Sequence, residues 1–447
     1  MDAPTPSPTP TRFALRGDLL DLAADPGFDD VRGAGAVRFT PDHWLLVDDG
    51  RIAGRQAAEP DASWTRIDHR GRLVTPGFVD THVHAPQLDV IASYGTQLLD
   101  WLETYTFPAE RRHADPAVAA ADSAMFLDAL FAHGTTAAVV FPTVHKASAD
   151  ALFAAAHERG MRLVAGKVLM DRHAPDGLRD DVAGAERDCV ELIDRWHGRG
   201  RLAYALTVRF APTSTDAQLA MAGRLLQAHP GAYMQTHVAE NRDEVRWVAE
   251  LFPAARSYLD VYHRHGLLNE RAVLAHGIWL DEADRALLAA TGAQLAHCPT
   301  SNTFLGSGLF DWRAAEAAGA AVSIATDVGG GTSLSMTRTL AEAYRVQALQ
   351  GRRLTAWKAL YAATRGAARA LRLEHEIGSF DAGCAADLVV WDWARGPVAA
   401  HRDALARAAC EAGEPHARVF AWMMLGDERN VVETRVAGRA RFVRQEG

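Results

Sequence analysis

Between residues 74 and 326 the chain alternates short apolar runs with longer stretches whose apolar positions recur every three to four residues. The short runs suit strands buried on both faces, and the longer stretches suit amphipathic helices. The pattern predicts strands over 74–82, 136–141, 162–170, 203–210, 232–237, 272–276, 294–298 and 321–326. Helical stretches such as 117–132, 149–158, 185–197 and 216–227 separate them. Eight such βα units predict a (β/α)8 TIM-like barrel, in which the C-terminal strand ends ring one mouth. An open doubly wound sheet competes, but it usually carries a phosphate-binding glycine loop after its first strand. Neither GxGxxG nor GxxxxGK[ST] occurs here.

The flanks follow a different pattern. Trp44-Leu45-Leu46-Val47 and Arg51-Ile52 read as two strands joined at Asp49-Gly50, a hairpin turn pair. The same style returns in Ala386-Asp387-Leu388-Val389-Val390-Trp391 and Val431-Val432-Glu433-Thr434-Arg435-Val436. Both chain ends are therefore expected to build one small β-sandwich domain, 13–74 with 374–447, around a barrel over 75–373. The Pro/Ser/Thr-rich residues 1–12 are expected to form a floppy tail.

Composition narrows the class. With 48% hydrophobic and 23% charged residues the chain is ordinary for a soluble globular protein. A net charge of −9 argues against a nucleic-acid partner, which calls for a basic face. The four cysteines, Cys189, Cys298, Cys384 and Cys410, form no CxxC pair, so no disulfide framework is implied. There is no signal-peptide core and no run of membrane-spanning length, so the expected location is the cytoplasm, without membrane contact.

The chemistry gathers at the predicted strand ends. His82 and His84 lie one residue apart and share a strand face. His237, His276 and Asp327 end the fifth, sixth and eighth predicted strands, each where an apolar run meets a polar or glycine-rich loop. In a barrel these ends converge. His82, His84, His237 and Asp327 are therefore expected to bind one metal, zinc or ferrous iron, both suited to imidazole and carboxylate donors. His276 is expected to orient a water and Asp327 to accept its proton. Glu240, three residues past His237, is either a proton shuttle or a first-turn glutamate favoured by the helix dipole; spacing does not choose.

The other histidines, His113, His133, His145, His173, His197, His263 and His265, read as exposed or satisfied locally. His297 beside Cys298 could suggest a nucleophilic pair, but neighbouring strand residues face opposite sides. Lys167 raises the question of a lysine bridging two metals, yet the fourth predicted strand carries no lysine, so a single metal is favoured. Zinc deaminases built on H-x-E with P-C-x-x-C are excluded, since no PCxxC exists in the chain.

Taken with Pro76-Gly77-Phe78-Val79-Asp80-Thr81-His82-Val83-His84, these residues resemble the amidohydrolase superfamily of metal-dependent hydrolases, and within it the branch that deaminates guanine. More specific are the stretches 99–110, 166–171, 237–245, 296–302, 326–331 and 425–430. The resemblance implies zinc-dependent hydrolysis of guanine to xanthine and ammonia, usually by a homodimer. It also implies that Gln87, Arg209 and Phe210 hold the purine while Glu240 protonates its ring. An arginine donor suits acceptors such as guanine O6 and N7. One departure is Val208, where the family carries proline before Arg-Phe. The competing expectations are a relative acting on another purine such as 8-oxoguanine, a pterin or a triazine, and a non-catalytic relative lacking metal ligands.

Overall fold

In the computed structural model, which describes residues 11–94 and 97–445, the chain forms two compact units. One collects the chain ends, through Val79 and from Leu354 onward, together with Leu130–Thr136. The other holds Asp80–Ala129 and Ala137–Arg353. The stretch 1–12, expected as a tail, lies outside the described residues as far as Pro10, and Arg12 already opens the first strand.

Strands β1 (Arg12–Leu22), β2 (Val37–Asp48), β3 (Arg51–Gln56) and β4 (Thr65–Pro76) come first in sequence. Next are β5 (Phe78–His84), β6 (Thr135–Phe141), β7 (Arg162–Ala165), β8 (Val168–Leu169) and β9 (Leu202–Val208). Then follow β10 (Tyr233–Val238), β11 (Ala272–His276), β12 (Gln294–His297), β13 (Ala321–Ile324), β14 (Leu388–Trp391), β15 (Val431–Val436) and β16 (Arg439–Val443).

In the first unit, seven strands form one mixed sheet in the order β16-β15-β14-β4-β1-β2-β3. The two chain ends meet where β14 pairs antiparallel with β4. The β2–β3 turn is made by Asp49 (φ 45°) and Gly50 (φ 73°), both left-handed, as a two-residue hairpin turn requires. Alternate positions fill the core: Phe13, Leu15 and Leu19 of β1, Leu45 and Val47 of β2, Leu388 and Val390 of β14.

In the second sheet, eight strands run β13-β12-β11-β10-β9-β7-β6-β5 as a nearly closed parallel barrel, with β8 added beside β9. Two expected strands are corrected. The run 74–82 is divided: β4 ends at Pro76, which lacks a ladder N–H, and β5 starts at Phe78 and extends to His84. The run 162–170 is split at Gly166-Lys167, where a Cβ on Gly166 would lie 1.8 Å from the Ala205 carbonyl oxygen. Every residue of β5 is buried, as expected for an inner barrel strand. At the mouth, the Asp327 N–H donates to the His82 carbonyl (2.9 Å) and the His84 N–H to that of Val328 (2.8 Å). No helix among the described residues is long and apolar enough to cross a membrane.

Candidate active site

β5 delivers His82 and His84 together, and β10 and β11 bring His237 and His276 beside them. β13 ends at Ile324, so Asp327 sits in the loop just beyond it, its φ of 50° in the left-handed region. The His84 Nε2 lies 3.2 Å from the Nε2 of both His82 and His237. Asp327 Oδ1 is 3.1 Å from His82 Nε2 and 3.4 Å from His84 Nε2. One ligand atom each from His82, His237, His276 and Asp327 falls within 4.8 Å of the others.

Hydrogen-bond directions fix the tautomer of one ring. His237 Nδ1 meets the Arg209 carbonyl at 2.6 Å, and a carbonyl can only accept, so the proton is on Nδ1 and Nε2 carries a lone pair. The Nδ1 atoms of His82 and His84 have no hydrogen-bond partner among the described residues. Burial holds His84 down to about 3, and it holds His82 and His237 below the ordinary histidine range as well. Burial alone would push Asp327 up, but the adjacent histidines, His82 foremost, hold it well below the usual carboxylate range. Neutral imidazoles crowded around an ionised carboxylate are the donor set of a divalent cation, so these residues fit a metal.

Glu240 precedes the helix Arg242–Leu251, which Asn241 caps. It is therefore not a first-turn glutamate; the capping carboxylate is Glu244, whose Oε2 accepts from the Glu240 and Asn241 N–H groups (3.0 and 3.1 Å). Glu240 instead turns Oε2 to within 3.3 Å of His276 Nε2, while Oε1 accepts from Ser307 Oγ at 2.9 Å. Burial first, then the charge of Asp327, pushes Glu240 up to about 8. His276 Nδ1 meets Asn302 Oδ1 at 2.8 Å.

One pocket is lined by His84, His237, His276 and Asp327 together with Gln87, Arg209, Phe210 and Glu240, with Leu98, Trp101, Leu102 and Leu305 supplying apolar walls. Arg209 lies just past β9, where Val208 is paired with Leu169 and the Arg209 N–H donates to the Leu169 carbonyl at 3.3 Å. Glu110, Glu244, Asn302 and Ser307 carry parts of the site that spacing gave no reason to single out. Glu110, Glu244 and Asn302 lie in stretches that carried the resemblance, but no pattern assigned them a role.

The remaining candidates resolve locally. Lys167 pairs with Asp180 at 2.6 Å and is no metal bridge. His113 sits between Asp122 (3.2 Å) and Ser148 (3.3 Å). His297 packs on Phe310, while the Cys298 thiol bonds to the Ala296 carbonyl and burial holds it well above its ordinary range, so the two form no nucleophilic pair. All four cysteines are free.

A barrel with imidazoles and a carboxylate converging at its mouth defines a class of metal-dependent hydrolase. Residues 73–441 match the amidohydrolase family, and the chain belongs to it. The particular likeness is to guanine deaminases. The chain is 44% identical to guanine deaminase of Escherichia coli (strain K12) over 441 residues, covering 97% of this chain and 98% of that protein. The solved E. coli enzyme superposes with a TM-score of 0.92 over 97% of this chain and all of that one. A probable guanine deaminase of Deinococcus radiodurans is 40% identical, covering 88% of this chain and 89% of its own. A C. acetobutylicum guanine deaminase solved with guanine in its active site is 27% identical, with a TM-score of 0.85, covering 96% and 100% of the two chains.

Proposed function

We infer that this enzyme hydrolyses guanine to xanthine and ammonia, with water adding at C2 and the exocyclic amine departing. The observation that carries the reading is that a single pocket presents both the His/Asp cluster and the Gln87, Arg209, Phe210 and Glu240 group. His82, His84, His237 and Asp327 would hold one zinc, and His276 groups with His82, His237 and Asp327 as a further donor. A bound divalent metal lowers the pKa of water from ~15.7 towards ~7, making hydroxide available near neutral pH.

The side chains do the rest. Asp327 accepts the proton of the attacking water, and His276, tied to Asn302, holds that water towards C2. Glu240 is fixed by Ser307 and faces the same space, so it can give its proton to the purine ring, take one from the added hydroxyl as C2=O forms and pass it to the leaving amine, the proton held by Asp327 then restoring it. Gln87 and Arg209 bind the polar edge of the base, while Phe210, Trp101 and Leu305 pack against its ring and exclude water. The proposal extends to a cytoplasmic homodimer, for which light scattering should give twice the chain mass. The reading is tested by incubating purified protein with guanine, adenine, 8-oxoguanine and pterin side by side. Xanthine from guanine alone supports it, and preferential turnover of another of these substrates points to a different member of the family.

A further inference from the structure

Gln87 and Arg209 reach the pocket from separate elements, and both are held by a third residue outside its lining. Glu110, in the helix Phe107–Arg111, is fully buried. Its Oε1 accepts from Arg209 Nη1 at 2.5 Å and from Gln87 Nε2 at 3.3 Å. A carboxylate can only accept, so the Gln87 amide must turn its NH2 towards Glu110. The opposite end agrees, because the Gly329 N–H can only donate and meets Gln87 Oε1 at 3.2 Å.

The Gln87 carbonyl is thereby spent on the protein, and one amide N–H is left for a ligand. Arg209 keeps the N–H groups of its fork that Glu110 does not take. This wall therefore turns N–H donors towards a ligand, with the Gln87 carbonyl facing the Gly329 N–H instead. We propose that Glu110 is the positioning residue that turns the donors of this wall towards the ligand, by locking Gln87 and Arg209 through one carboxylate oxygen, and so selects purines whose edge presents acceptors. The proposal rests on the guanine reading above. Guanine, with O6 and N7, fits such a wall, whereas a purine bearing an amino group at C6 would meet it donor to donor.

The test is a double-mutant cycle: wild type, Glu110→Gln, Arg209→Met and the double variant, with kcat, KM for guanine and metal content measured for each. Folded Glu110→Gln should raise KM about tenfold or more, the scale of a lost hydrogen bond to a charged group, while kcat changes less than about threefold and metal content holds. Because the ion pair with Arg209 (2.5 Å) is the stronger of the two links Glu110 makes (Gln87, 3.3 Å), the double variant should stay within about threefold of Arg209→Met in kcat/KM, with the two losses not multiplying. A KM within about twofold of wild type in folded Glu110→Gln, or multiplying losses, overturns the proposal. Should Glu110→Gln not fold, the comparison of Arg209→Met with the charge-balanced double variant decides alone. If wild type leaves guanine untouched, the functional reading fails; guanine turnover with multiplying losses fails only the role of Glu110.

Discussion

His237 donates its Nδ1 proton to the backbone carbonyl of Arg209 at 2.6 Å. This one bond joins the cluster that fits a metal to Arg209, the residue proposed to bind the purine edge. It also leaves His237 Nε2 with a free lone pair, 3.2 Å from His84 Nε2.

Purified protein should therefore carry about one divalent metal per chain by elemental analysis. The His82→Ala/His84→Ala double variant should lose most of it. A ratio near two, or full retention in the double variant, would contradict a single site built on these residues.

Glu240→Gln keeps the shape and the Ser307 contact but cannot exchange a proton. Turnover should fall by roughly 10²–10⁴ with metal content unchanged. Activity within a few fold of wild type would remove Glu240 from proton transfer.

Glu244 links pH to stability. Burial, with the neighbouring Glu240 adding to it, raises Glu244 from 4.5 to about 7. A carboxyl raised in the folded state favours folding below its unfolded value, and that contribution fades as pH climbs through the folded value. Glu244→Gln can still accept the two backbone N–H groups without titrating. Wild type should thus lose more thermal stability than Glu244→Gln as pH rises from 4.5 to about 7. Parallel stability curves would show that Glu244 does not ionise in this window.

Gly331 backs the loop that carries Asp327. Its N–H donates to the Asp327 carbonyl at 2.6 Å, and a Cβ there would stand 1.8 Å from the Thr326 carbonyl oxygen. Gly331→Ala should cost on the order of 1–3 kcal/mol by overpacking and lower both the thermal midpoint and metal occupancy. Wild-type values for both would mean that the loop relaxes freely.

Much of this site was legible because barrel strands announce themselves twice, as apolar runs and as the polar residue that ends each run. His82, His84, His237, His276 and Asp327 were found that way, and the structure brings them together. Their partners were not legible by spacing. Glu110 lies 99 residues from Arg209, and Asn302 lies 26 from His276, so only the closed barrel makes them neighbours. Glu240 shows the limit of local pattern most clearly. Its spacing suited a first-turn carboxylate equally well, and the helix start proved to belong to Asn241 and Glu244. Strand ends were blurred where glycine allows close backbone approach, as at Gly166, or where proline interrupts a ladder, as at Pro76.

The central claim is that water displaces the C2 amine of guanine in this pocket. The most direct measurement is the fate of guanine in ¹⁸O-labelled water, followed by mass spectrometry with ammonia assayed in parallel. The account requires xanthine carrying one ¹⁸O at C2 and one ammonia per guanine consumed. Unchanged guanine, or xanthine without the label, would contradict it.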